Sequence, residues 1–419
     1  MSQILLPYGK SHVILEIADD LTPQIIMPPI SSTAVDAHEK IVDSIKHPTG
    51  KFLWQQIKPT GRVAIAINDK TRPVPNNLMI PPLLEKLASI GFTPEQITFF
   101  IATGTHTPMR SDEFSLLLPS EIISRYRIVS HDCDDSANLE FLGTTSRKTP
   151  VWINAEFYHS DLKILVGNIE PHHFMGYSGG AKTAGIGLTG RQTINQNHAM
   201  LVEPNATFAI YEENPTRQDL EEIGDLIRIH GVLNVVMNPS RQIMYSLFGS
   251  AREVMIAGIP FAREICQTKI DQGDFDLVIA SPGGYPKDIN LYQSQKGLSH
   301  AASITRDGGC VILVAQCAEG VGSNSYEAFM EGITSPDEVF IKMKNDGFKV
   351  GPHKALQFAR EQKRIRIIIV SDIEKKRIER LLLESGENLE TAFKKALISL
   401  PPNPRIAIMP KATNTIPQL

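Results

Sequence analysis

"LKILVGNIEPHHFMGYSGGAK" (Leu162–Lys182) begins as an apolar run and ends in a loop crowded with histidine, glycine and lysine. A strand apolar at nearly every position, as in 162–168, has to be covered on both faces, which is the condition of a parallel sheet between helices. The pattern recurs in "RVAIAIND" (62–69), "ITFFIATG" (97–104), "VLNVVMN" (232–238), "DLVIASPGG" (276–284), "CVILVAQC" (310–317), "IRIIIVSD" (365–372) and "RIAIMP" (405–410). Helix-period segments such as "SAREVMIAGIPFAREICQTKI" (250–270) separate these runs. The expected fold class is α/β, with two domains built on largely parallel sheets flanked by helices. "DQGD" (271–274) marks the expected boundary. It gives an N-terminal domain over 1–270, a C-terminal α/β domain over 271–400 and a tail, 401–419, returning toward the N-terminal domain. Ligands of such sheets sit beyond the carboxyl ends of the strands, so the active site is expected there, in the cleft between the domains.

The bulk numbers narrow the class of partner. At 419 residues the chain exceeds the size at which single cores stop growing. A hydrophobic fraction of 42% with 21% charged residues excludes a disordered chain. The net charge is −4 and the basic residues are scattered, so no nucleic-acid footprint is present and a small-molecule ligand is expected. The four cysteines lack any C-x-x-C pair and lie partly in apolar runs, which points to buried thiols in a reducing compartment and against a structural zinc. The start, "MSQILLPYGKSHVILEIADD", alternates across a turn and reads as a hairpin, not a signal peptide. No membrane span is expected, and the expected location is cytoplasmic.

The residues after the strand ends are unusually reactive: "DKTRPVP" after 62–69, "THTP" after 97–104, "EPHHFMGYSGGAK" after 162–168 and "YPKDINLYQSQK" after 276–284. Gly176–Thr183 spells G-Y-S-G-G-A-K-T, close to a phosphate-binding G-x-x-x-x-G-K-[ST], but Ala181 replaces the second glycine and the following "TAGIGLTG" is too glycine-rich for a firm helix. His106, His172, His173 and His198 occupy strand ends or a loop-adjacent helix expected to start near Thr189. Imidazole there serves either as a general base or as a ligand to nickel, zinc or iron. Arg72 and Lys296 suit a carboxylate, as a planar fork and a point charge, and Asp69 is placed to orient Arg72 or a histidine. Taken alone these residues leave three chemistries open: a nucleotide site on Gly176–Thr183, a zinc hydrolase on His172, His198 and a carboxylate, or acid–base work on a small acid.

Taken together and in order, "DKTRP" (69–73), "ATGTHTP" (102–108), "EPHHFMGYSGGAK" (170–182), "NH" (197–198) and "PKDINLYQSQK" (286–296) resemble the nickel-dependent lactate racemase family over essentially the whole chain. The resemblance implies a cofactor-binding N-terminal domain and a nickel-pincer nucleotide, a pyridinium mononucleotide whose thioamide and thiocarboxylate arms clamp nickel. Lys182 matches the lysine of the covalent thioamide link, and His198 the protein ligand to nickel. Asp69, Gly179 and Gly180 are expected at the cofactor, the glycines because a loop without Cβ atoms admits a bulky planar group. His106 and His172 match the pair of general bases, while Arg72, Gln293 and Lys296 match substrate-binding residues and Tyr292 is a further candidate. His173 matches no role and is read as structural; Phe174 and Met175 are candidates for the substrate's variable end or for the core. The implied activity is racemisation or epimerisation at C2 of lactate or another small 2-hydroxy acid, such as malate or an aliphatic, aromatic or sugar acid. It proceeds by reversible hydride transfer through a 2-oxo acid, and separate enzymes that make the pincer are implied partners.

Overall fold

The computed structural model describes residues 2–18, 20–29, 36–72, 74–348 and 351–418. All eight apolar runs are strands. They fall into two six-stranded sheets, one in each of two compact units, residues 31–265 and residues 1–30 with 266–419.

In the 31–265 unit the strand order is Ile243–Gly249, Gly231–Met237, Leu162–Asn168, Val63–Asn68, Ile97–Ala102, Arg127–Ser130, and only the Gly231–Met237/Ile243–Gly249 pair is antiparallel. The period of two in "VAIAI" sorts its side chains. Val63, Ile65 and Ile67 join one buried cluster with Phe99 and Leu83. Ala64 and Ala66 join another on the opposite face, with Ala184, Leu188 and Ile223. The alanine face lets a short helix, Lys182–Gly185, lie close against the sheet. Consecutive strands run outward from Val63–Asn68 in one direction, and Leu162–Asn168 then returns on its other side. That reversal is the switch point at which α/β sheets bind ligands.

In the other unit Glu384–Gly386, Arg366–Val370, Thr305–Val314, Phe275–Ala280, Ile406–Met409 and Gln24–Ile25 form a wholly parallel sheet. The expected N-terminal hairpin is present, Ser2–Tyr8 against Ser11–Ile17.

The units differ from the expected division into 1–270, 271–400 and 401–419. Residues 1–30 belong with the C-terminal half because the hairpin's Leu6, Leu15 and Ile17 are buried in one cluster with Leu277, Ile279, Ile312 and Ile408. The buried Asp288 also accepts from Gly9 N at 2.6 Å, and Ser281 Oγ donates to Pro7 O at 2.6 Å. The helix expected over 250–270 ends at Cys266, and Gln267–Lys269 then pairs with Ile416–Gln418. The tail thus stays in this unit. Its strand Ile406–Met409 pairs with Gln24–Ile25 and packs in one cluster with the hairpin's Leu6, Leu15 and Ile17.

Candidate active site

At the switch point of the 31–265 unit the chain leaves Val63–Asn68 through Asp69 and a tight turn in which Arg72 N donates to Asp69 O at 3.0 Å. Asp69 is buried, and its Oδ2 lies 2.7 Å from Nδ1 of the half-exposed His106. Its Oδ1 accepts from the Thr71 hydroxyl at 2.6 Å and the Thr71 amide at 3.2 Å. Burial pushes the Asp69 pKa up, but these hydrogen bonds outweigh it and hold the carboxyl below its usual range. A carboxylate only accepts, so Nδ1 carries a proton, and in the neutral ring Nε2 is left as a lone pair. His106 is therefore set up as a base.

From Leu162–Asn168 the chain forms a two-residue hairpin, Pro171–His172 against Gly176–Tyr177. The His172 ring lies tilted against His173 at 4.4 Å and meets the Phe174 ring edge-on at 5.0 Å, and Phe174 in turn meets His198 at 4.9 Å. His198 occupies the last turn of the helix Arg191–Ala199, which starts two residues after the expected Thr189. Met175 N donates to His172 Nδ1 at 3.2 Å, so a neutral His172 carries its proton on Nε2. Burial and then the charges of Lys182, His173, Arg72 and His198 hold the His172 pKa well below the ordinary imidazole range. Lys182 starts its short helix with its amine far below the usual lysine range; burial is the first cause, Arg72 and Arg217 add to it, and Glu170 opposes them.

Arg72, His172, Lys182 and His198 thus share one electropositive neighbourhood, with the Asp69–His106 pair on the adjoining turn. Phe174 and Met175 are buried, and Phe174 packs between His172 and His198. Gly179 and Gly180 have φ of +86° and +60°, and their missing Cβ atoms point inward. A Cβ on Gly179 would lie 2.8 Å from Asn234 Oδ1, and one on Gly180 2.6 Å from Met255 Cγ. Interior packing and left-handed backbone each require glycine at these two positions.

Tyr292, Gln293 and Lys296 lie on the helix Leu291–Ser303 of the other unit, whose cap Asn290 accepts from Gln293 N at 3.0 Å. Lys296 is exposed and Gln293 partly so. Beneath them the buried Lys354 donates to Gln295 Oε1 at 2.8 Å and lies over the Tyr292 ring. Burial and the charge of Lys296 lower the Lys354 pKa to about 7. Sequence reading missed Lys354, and it missed Asn214 and Arg217, which hold the Lys182 loop from the helix Pro215–Ile227. The signal available was slight: "NPTR" reads as an ordinary helix cap.

Two of the open chemistries find no preformed donor set among the described residues. Among the described residues the one group of three possible metal-ligating side chains is Asp132, Cys133 and Asp134, and Arg191 pairs with Asp134; His172 and His198 join no carboxylate in such a set. The Gly176–Thr183 loop leads into a four-residue helix, not the long helix of a phosphate site. A low-pKa lysine, several imidazoles and an arginine do fit an anionic group anchored through an amine and ligated by one histidine.

Such side chains at the switch point of a parallel sheet define an α/β enzyme. The family models described as lactate racemase N-terminal domain and lactate racemase C-terminal domain match residues 8–209 and 270–416. A lactate racemase of Thermoanaerobacterium thermosaccharolyticum is 30% identical over 83% of this chain and 82% of its own length. One from Lactiplantibacillus plantarum is 27% identical over 99% of this chain and all of its own. The apoprotein structure of the Thermoanaerobacterium thermosaccharolyticum lactate racemase superposes with a TM-score of 0.87 at 26% identity, covering 100% of both chains. A Thermotoga maritima protein at 17% identity and TM-score 0.60, covering 91% of this chain and 97% of its own, shares the fold. The chain belongs to the lactate racemase family and is an isomerase. Among the described residues no helix is long and apolar enough to cross a membrane.

Proposed function

We propose that the protein racemises lactate, or a closely related 2-hydroxy acid, with a nickel-pincer nucleotide tethered to Lys182 and ligated through His198. The observation that carries this is Lys182 itself: burial and flanking guanidinium groups disfavour its charged form, which is the condition for a lysine to act as a nucleophile. When bound, the group supplies a hydride acceptor. Taking the C2 hydrogen as hydride avoids the dianion that proton loss beside a carboxylate would create.

The chain's residues do the rest. Arg72, Gln293 and Lys296, with Tyr292, are proposed to bind the carboxylate and hydroxyl. Nε2 of His106, left as the acceptor by the Nδ1 contact to Asp69, takes the hydroxyl proton. His172 is proposed as the base for the opposite enantiomer. To accept at Nε2 its ring must move the proton to Nδ1 and release the 3.2 Å bond from Met175 N. Asp69 is proposed to act on the cofactor side through His106. Gly179 and Gly180 are proposed to meet the cofactor through backbone atoms; Gly180 N is already directed to Asn234 Oδ1 at 2.7 Å. Pincer-making enzymes are the proposed partners, and the cytoplasm is the proposed location.

Two experiments test this. Loaded enzyme with enantiopure 2-hydroxy acids in deuterium oxide is expected to invert lactate with C2 protium retained; deuterium at C2 would sink the hydride route. Intact mass of protein made alongside the pincer enzymes is expected to show an adduct that Lys182→Ala lacks.

A further inference from the structure

The helix Pro215–Ile227 begins beneath the Lys182 loop, and its first turn binds that loop at three carbonyls. The Asn214 amide donates to Phe174 O at 2.8 Å, and the Thr216 hydroxyl to the same oxygen at 3.2 Å. Arg217, 1% exposed, donates from Nη1 to Tyr177 O at 3.1 Å and Gly179 O at 3.2 Å, while Nε donates to Glu221 Oε1 at 2.6 Å. Nη2 lies 2.6 Å from that same Glu221 oxygen but has no acceptor in hydrogen-bonding geometry. It sits against Gly180, whose Cβ would fall 2.7 Å away. Two carbonyls could be satisfied by a neutral amide. A buried guanidinium is costly to desolvate unless it is paired; Glu221 pairs it on one side, and the loop carbonyls take the donors on the other.

We infer that Arg217 is a positioning residue for Lys182: its fork fixes the Tyr177–Gly179 turn from which the lysine projects. The Arg217 charge acts on the amine in the same sense as burial and Arg72, against the ammonium form. This rests on the reading of Lys182 as the tether. Three charges act on the amine: Arg72 on the turn after Val63–Asn68 and Arg217 on the helix disfavour the ammonium, and Glu170, the one acidic group among them, opposes them. The Lys182 charge in turn acts on His172 of the hairpin. Glu221 fixes Arg217 without neutralising its effect at Lys182, where the Arg217 charge still lowers the amine's proton affinity. An ammonium has no lone pair, so this arrangement separates Lys182 from the surface lysines as an acyl acceptor.

The test is competitive labelling of the apoprotein with trace acetic anhydride across pH, read by peptide mass spectrometry, with the exposed Lys46 and Lys344 as internal references. Lys182 is expected to label at pH values where the references do not. Arg217→Gln is expected to move its labelling midpoint up by about one pH unit or more, a tenfold change in the fraction uncharged at a given pH. Arg217→Lys, which keeps charge without the fork, is expected to retain a low midpoint yet lose adduct formation on exposure to the cofactor. A wild-type Lys182 that labels like Lys46 would overturn the inference whether or not either variant folds. So would an unchanged midpoint in a folded Arg217→Gln protein. If instead the adduct survives Lys182→Ala while the labelling behaves as expected, the tether reading fails and the clamp stands.

Discussion

Asp69 decides which nitrogen of His106 faces outward, and a single atom tests this. In Asp69→Asn the side-chain amide can donate to Nδ1, which moves the ring proton to Nε2 and removes the lone pair that accepts the substrate's proton. We expect kcat to fall by roughly 10²–10⁴-fold with adduct and nickel content unchanged; a fall of less than threefold would show that Asp69 does not set the tautomer. Linkage gives a second readout. The folded-state pKa of Asp69 is depressed, so its ionised form contributes stability that is complete above the unfolded value, about 3.9, and is lost as pH falls through the folded one. The gap in melting temperature between wild type and Asp69→Asn is therefore expected to be constant at neutral pH and to close below about pH 4. The Asp69–His106 pair was half legible in the sequence: both residues follow apolar strands, but only the parallel pairing of Val63–Asn68 with Ile97–Ala102 brings the two strand ends side by side. Arg217 was hidden for a different reason. Its i,i+4 partner Glu221 is the pattern of an exposed helix pair, and burial does not show in sequence.

Among elements, the long central strands were legible because burial on both faces demands apolar residues throughout. The edge strands Gln24–Ile25 and Glu384–Gly386 were not, since two or three residues acquire strand geometry from their neighbours and carry no pattern of their own. The Lys182 loop shows the same limit. Its glycines were visible, yet the surfaces they avoid, Asn234 and Ile169 for Gly179 and Met255 with Arg217 for Gly180, come from other elements. Gly179→Ala forces a side chain into left-handed backbone, costing about 1–2 kcal/mol, and sets a Cβ 3.0 Å from Asn168 O, which cannot move without the strand. A loss of at least that much stability is expected, seen as a drop in melting temperature of roughly 2–4 °C per kcal/mol. An unchanged melting temperature would mean that the loop lies differently against Asn234.

For the whole molecule, the assignment of the first thirty residues to the C-terminal unit has a measurable consequence. The buried faces of Leu6, Leu15 and Ile17 complete the core against Leu277, Ile312 and Ile408. At about 1.5–3 kcal/mol for each fully buried side chain, an upper figure, their loss is of the same order as the roughly 5–15 kcal/mol that stabilises a domain. Removing the hairpin also strips Asp288, a buried carboxylate, of the Gly9 amide and leaves it with Gln316 N at 3.2 Å. A fragment of residues 266–419 is therefore expected to be unfolded or aggregated. The same fragment with residues 1–30 joined at its carboxyl end through a flexible linker is expected to fold, because the parallel pairing of Gln24–Ile25 with Ile406–Met409 leaves the two segments side by side. Circular dichroism and hydrogen exchange distinguish the cases. Cooperative unfolding of 266–419 alone would show that the hairpin decorates this unit without completing it, and that the folding unit begins near residue 270.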